Sequence, residues 1–255
     1  MKVILLASSG ASTNILYNKI NAHYEITSVI IEDNISAKVF WERRIKKLGL
    51  WKVLGQVLFI VIIQKILKMT SKARSISILK ENGLSTECIP ENKLLRVNSV
   101  NSEKLIGLLK QANPDLILVN GTRIISKKVL SATQAPFINI HAGITPEYRG
   151  VHGAYWAFYN KEPDLAGVTL HFVDKGVDTG NIIDQQKITV SKKDNFATYS
   201  LLQLSAGINL LMNYLDNKKE KKQNIPHILS KGKSNQWYHP GFFQYIFHRL
   251  MFKVK

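Results

Sequence analysis

A chain of 255 residues, 45% of them apolar, suits one α/β domain with an appendage or two small domains. Its single cysteine, Cys88, excludes an internal disulfide and fits a reducing compartment, so the expected location is the cytoplasm. The formal charge of +17 calls for nucleic acid, an anionic membrane surface or phosphorylated small molecules as partners, unless it is simply a solvated basic surface.

In chain order, the opening "MKVILLASSGAS" has an apolar core of about five residues, too short for a signal peptide. Residues 2–7 and 24–31 are instead short, β-branched and bounded by polar turns, as buried parallel strands are. Between them Ile15, Leu16 and Ile20 have helical spacing, with Ser12 or Thr13 as the expected cap. A long helical region is expected over 36–69 and another helix over 72–83. Its stretch 50–68 is strongly apolar, but Lys52, Gln56, Gln64 and Lys65 bound or interrupt it, and a spanning helix needs about 20 largely apolar residues. A span is not expected. A core helix, a homo-oligomer interface and an interfacial membrane helix stay open.

Residues 101–113 form an amphipathic pattern capped by Asn101 or Ser102, followed by strands over 114–121 and 135–142. This alternation predicts a Rossmann-like, mostly parallel sheet with a helical insertion near 36–83. After residue 150 come an aromatic helix (152–160) and two strands (166–173 and 181–190) joined by "DKGVDTG", which add an antiparallel hairpin. A helix over 194–216, with Asp194 as cap, closes the expected catalytic domain 1–216. The remainder, 217–255, reads as a basic and aromatic C-terminal extension. The alternation of aromatic and basic residues over 237–255 raises the membrane reading, leaving open a peripheral contact at the inner face of the membrane through 50–68 and 237–255.

Three clusters could carry chemistry. Asn139 and His141 are two apart, so a strand points both to one face, just where ligands bind beyond the carboxyl ends of parallel strands. Asp178 and Asp174 are rival carboxylates in a tight loop framed by Gly176 and Gly180, and periodicity does not choose between them. The small-residue loop 7–14 before the first helix is a weak anion site.

"NIHAGITPEYRG", then "GVTLHFVDKGVDTGNII", preceded by "PDLILVNGTRII", resembles the formyltransferases that use 10-formyltetrahydrofolate, most closely sugar N-formyltransferases. The resemblance covers the first strand and 114–216. It implies a catalytic trio of Asn139, His141 and Asp178. It also implies a pocket for the folate co-substrate lined by Gly121, Thr122, Arg123, Ile124, Ile125, Asp174 and Gly176. The acceptor side would take in Ser9, Gly10, Ser12, Thr13 and Asn14, with Tyr155 and Trp156 stacking on a sugar or base unless they are core. His152 and His171, without a comparable pattern, are expected to be structural. The family's Ser-Leu-Leu-Pro is replaced by Gly143, Ile144, Thr145 and Pro146, and acceptor choice is expected there.

The trio suits the reaction. An amine attacking a formyl carbon builds negative charge on oxygen, which Asn139 and protonated His141 could meet with hydrogen bonds, each such donor contributing about 3–4 kcal/mol. Asp178 could favour the charged imidazole and help to carry the amine proton. The expected acceptor is a small-molecule amine, an amino sugar linked to a nucleotide or lipid for surface glycans. The residues after 216 are too few for the barrel domain of methionyl-tRNA formyltransferases, so nucleic acid is not the expected partner. The alternatives are glycinamide ribonucleotide or methionyl-tRNA formylation, or a non-catalytic membrane- or nucleic-acid-binding protein on a degenerate scaffold.

Overall fold

The computed structural model describes residues 1–220 and 232–255. β1 (Val3–Ser8), α1 (Ala11–Asn21) and β2 (Ile26–Glu32) form the opening β-α-β unit. The helical insertion follows as α2 (Ala37–Leu48), α3 (Leu50–Leu58), a π-helical turn (Phe59–Gln64), α4 (Lys65–Thr70) and α5 (Lys72–Glu81). Gly49, at φ +84°, separates α2 from α3, a backbone conformation that an L side chain rarely adopts. From Leu50 to Thr70 the helix runs for 21 residues and is long and apolar enough, by length and composition, to cross a membrane. Lys52, Gln56, Gln64 and Lys65, expected to forbid that, leave it apolar enough overall. Val53, Phe59 and Leu67 are nevertheless buried against the body.

β3 (Leu94–Val97), α6 (Glu103–Ala112), β4 (Leu116–Asn120), α7 (Lys127–Leu130) and β5 (Phe137–His141) complete the parallel half of the sheet. Next come β6 (Arg149–Gly150), α8 (Gly153–Tyr159), β7 (Gly167–Phe172), β8 (Ile182–Lys187), α9 (Phe196–Lys219), β9 (Gln236–Trp237) and α10 (Phe242–Met251). The main sheet has seven strands in the order β3-β2-β1-β4-β5-β7-β8, with β7 antiparallel to both of its neighbours. This is the predicted α/β architecture. Alternate residues of β1 feed the two faces: Val3, Leu5 and Ala7 pack with α1 and α9, while Ile4 and Leu6 pack with α6. Burial on both faces explains why the central strands read as nearly continuous apolar runs.

Two expected caps are corrected. Gly10 occupies the cap of α1 without a side-chain bond, and Thr13 turns its hydroxyl back to donate to the Ser8 carbonyl. Asn195, not Asp194, caps α9, in a capping box with Thr198. Asp194 is instead the buried anchor for Arg74 of α5, at 2.9 Å. Ser102 caps α6, accepting from the Leu105 amide.

The region after 216 is integrated with the body over its described part, although part of the basic run 217–223 lies outside the described residues. β9 pairs in parallel with β6, and Tyr245 of α10 packs on Phe59, the ring centroids 5.1 Å apart. Insertion, α8, the start of α9 and α10 thereby share a third apolar cluster, which also holds Tyr155 and Trp156.

Candidate functional site

The ends of β4 and β5 open into a cavity of about 560 Å³, at the carboxyl edge where open α/β sheets bind ligands. Asn139, His141 and Asp178 all line it, together with His171, Asp174 and the loop 121–125. Asp178 sits at φ +53°, in the left-handed region that aspartate tolerates better than most residues. Its Oδ2 accepts the Gly150 amide at 3.0 Å and stands 3.3 Å from His141 Nδ1. Asp174 instead accepts from the Gly176 amide and the Thr179 hydroxyl, bracing the loop. Geometry thus places Asp178, not Asp174, beside the imidazole.

His141 is buried, with Nε2 2.8 Å from the Tyr148 carbonyl oxygen. That oxygen only accepts, so Nε2 carries a proton. Nδ1 faces the Asp178 carboxylate, to which an N–H there would make a charge-assisted hydrogen bond. The expected hydrogen bond from His141 to a substrate oxygen meets a constraint here, because Nε2 is committed to the Tyr148 carbonyl and Nδ1 faces Asp178. Gly143 permits this approach, because a Cβ there would lie 2.2 Å from the Tyr148 oxygen and 2.8 Å from His141 Nε2. The "GITP" turn is therefore a backbone scaffold. Thr145 donates its amide to Thr169 and its carbonyl accepts from Gln185, so the expected role in acceptor choice is not supported.

His171 overturns the expectation that it is merely structural. It faces Asn139 directly across the β5–β7 pair, and Asn139 Nδ2 donates to its Nε2 at 3.1 Å. Its Nδ1 donates to the Phe172 carbonyl at 2.7 Å, which fixes the neutral tautomer and leaves Nε2 as acceptor. Burial lowers the His171 pKa, and the His141 ring adds to this against the opposing pull of the Phe172 carbonyl and Asp178. Asn139 keeps a second amide N–H for a ligand.

On the expected folate side, Gly121, Thr122, Arg123, Ile124, Ile125, Asp174 and Gly176 all line the cavity. Arg123, however, spends its guanidinium on Glu32 Oε1 at 2.5 Å and on the Asn98 and Asp33 carbonyls. It fixes the loop from behind. Apolar Val119, Ile125, Ile140 and Val173 line the cavity beside the backbone of 121–125, so this side has apolar walls with polar backbone edges.

On the expected acceptor side, the correction is larger. Tyr155 and Trp156 are buried in the third cluster, and Trp156 Nε1 donates to the Tyr238 carbonyl, so neither ring is available for stacking. Among the loop residues, Ser9, Gly10 and Ser12 are exposed, Thr13 is buried and Asn14 donates to the Thr86 carbonyl. This loop does not line the cavity, but Asn120 joins the two, donating to Ser12 and Thr13. The cavity wall comes instead from Arg44 of the insertion and from Gln236, Trp237 and Tyr238. Arg44 Nε donates to Gln56, which in turn donates to the His239 carbonyl. Arg44 Nη2 is buried without a hydrogen-bond partner. None of these has a local signal in the sequence, because the wall forms only where the insertion meets residues 236–238 at the strand ends.

Fold and site together define an α/β protein whose strand-end pocket combines an amide donor, an imidazole and a carboxylate. A family model described as formyl transferase matches residues 56–213, more than half of the chain, and the chain belongs to that family. Among curated relatives, it is 32% identical over 128 residues to methionyl-tRNA formyltransferase of Thermodesulfovibrio yellowstonii, covering 50% of this chain and 41% of the relative. The chain thus spans about two fifths of the length of the curated relatives it matches. Among solved structures, a sugar N-formyltransferase from a Shewanella species superposes with TM-score 0.56 at 17% identity, covering 93% of this chain and 76% of that one. Phosphoribosylglycinamide formyltransferase from Streptococcus pneumoniae superposes with TM-score 0.53 at 23% identity, covering 86% and 99%. These likenesses are of fold.

Proposed function

We propose that this chain transfers a formyl group from 10-formyltetrahydrofolate to the primary amine of an amino sugar carried on a nucleotide or a lipid, for surface glycan synthesis. The observation that carries the reading is the convergence of Asn139, His141 and Asp178 on one strand-end cavity. When bound, the folate supplies an activated one-carbon acyl group. The apolar side beside 121–125 holds its ring system, and the chain's own residues do the rest. Asn139, held by His171, offers its second N–H where negative charge grows on the acyl oxygen. His141, held by Tyr148 and charged beside Asp178, adds a fixed positive potential in a water-poor site. Asp178, on the Gly150 amide, takes the proton released by the attacking amine.

The choice of acceptor rests on the opposite wall. Trp237, stacked on Tyr148 and Trp156, is fixed as a wall, and the unpartnered Arg44 Nη2 beside Tyr238 suits a phosphate or diphosphate carried by the acceptor. A second reading, methionyl-tRNA as acceptor, is favoured by the sequence relatives and by the charge of +17. The test is incubation with 10-formyltetrahydrofolate and a panel of amines, with formylated product read by mass. The panel contains amino sugars on nucleoside diphosphates and on polyprenyl phosphates, glycinamide ribonucleotide and methionyl-tRNA. Formylation of an amino sugar is the expected result. Product from methionyl-tRNA alone would replace the acceptor, and no product from any amine would overturn the reading.

A further inference from the structure

The outer surface of the insertion contradicts the usual logic of a surface helix. From Leu50 to Thr70, Val53, Gln56, Phe59 and Leu67 face the body. The opposite side should then be polar. It carries Trp51, Leu54, Leu58, Val61, Ile66 and Met69 instead, with Trp51 84% and Met69 70% exposed. α10 packs alongside α3 and the π-helical turn, with Gly55 and Gly241 in close approach, and its outer side repeats the pattern. Phe243 and Leu250 are 76% and 74% exposed. Two neighbouring helices thus leave adjoining apolar faces uncovered, well beyond scattered single hydrophobics.

The charge around these faces is of one sign. No Asp or Glu occurs between Arg43 and Lys80, nor between Gly232 and Lys255. Lys52, Lys65 and Lys68 are exposed along the insertion, and Lys253 and Lys255 follow α10. We propose that these two helices lie on an anionic lipid surface, their outer apolar side chains entering the headgroup boundary and their lysines meeting lipid phosphates. Charge decides against a second copy as occupant, because self-association would press lysine-bearing faces together with no carboxylate in either segment. A nucleic acid would meet the lysines but leave the apolar faces in water. The helix lies on the membrane and does not cross it: its inner face is committed to the third core cluster, and buried Gln56 is bonded to Arg44 and the His239 carbonyl.

The test uses the full chain and needs no substrate, so its outcome is independent of the formyl-transfer reading. Co-sedimentation is measured with vesicles of phosphatidylglycerol and phosphatidylcholine, and with phosphatidylcholine alone. The expected result is binding to the anionic vesicles that weakens at least about tenfold as salt is raised to roughly 0.5 M, with little binding to neutral ones. The exposed substitutions Trp51→Glu with Val61→Glu, and separately Phe243→Glu with Leu250→Glu, should each reduce binding at least about tenfold while circular dichroism and melting temperature hold. No binding to anionic vesicles at low salt overturns the proposal, as does undiminished binding by the folded variants. A dimer without vesicles that the same substitutions dissociate would also overturn it, by assigning the faces to a second copy.

Discussion

Asn139 and His141 do different jobs although they share one strand face. Asn139 donates to His171, whereas His141 is held through Nε2 with Nδ1 facing Asp178, and in the proposed mechanism it acts by its charge. Asp178→Asn should therefore lower kcat by about 10²–10³ with a small change in KM, since the lost effect belongs to the transition state. Steady-state kinetics at saturating folate checks this, and an unchanged kcat would remove Asp178 from the chemistry. Arg44→Ala should act the other way, raising KM for a phosphate-bearing acceptor with kcat held. Burial lowers the His152 pKa far below its usual value, and burial with Arg44 nearby takes His239 down to about 4. A histidine with a depressed folded pKa stabilises the fold above its unfolded value and loses that contribution as pH falls towards the folded one. His239 alone should cost about 2 kcal/mol between pH 7.5 and 5, taking an unfolded pKa of ~6.5. Thermal melts over that range should fall on acidification; a flat profile would contradict the burial of this pair. Asn139 and His141 are legible as a pair because strand periodicity is a local signal, whereas the glycine-framed loop leaves Asp174 and Asp178 as rivals and only the family resemblance points to Asp178. His171 is not legible, because its role comes from the β5–β7 register, a long-range pairing.

At the scale of elements, the insertion is fastened to the catalytic core by few polar links. Arg74 of α5 reaches Asp194 at 2.9 Å, just before α9. Burial pushes the Asp194 carboxyl up, but Arg74 and the Ser191 amide and hydroxyl outweigh it and hold the pKa below the usual range. Asp194→Ala should destabilise the protein by about 2 kcal/mol, because it removes the charge-assisted bonds to Arg74, which keeps only Glu81, and leaves the Ser191 amide and hydroxyl without their acceptor. Urea unfolding checks the value, and a loss below about 0.5 kcal/mol would show the link to be superficial. The long elements α1, α6, α9 and the central strands follow from periodicity. β3, β6, α7 and β9 do not, being two to four residues long and defined by their partners. The aromatic helix α8 shows the converse ambiguity, since an apolar helix reads alike as core or as binding surface, and Tyr155 and Trp156 prove to be core.

For the whole molecule, the order of strands puts the parallel half behind the folate-side loop and the antiparallel half beside Asp178, so the pocket lies where the two halves meet. That much follows from a β-α-β pattern with an appended hairpin. The acceptor wall does not, because it joins residue 44 to residues 236–238 and depends on the chain's return after α9. The buried side of α3 braces that wall through Gln56, which is bonded to Arg44 and to the His239 carbonyl. The central claim remains the chemistry of the pocket. Its most direct test is single-turnover formyl transfer by the wild type and by His141→Ala, each saturated with 10-formyltetrahydrofolate and the accepted amine. The account predicts transfer by the wild type and a loss of at least about a hundredfold in the variant, with folate binding retained. Transfer by His141→Ala at the wild-type rate would contradict it.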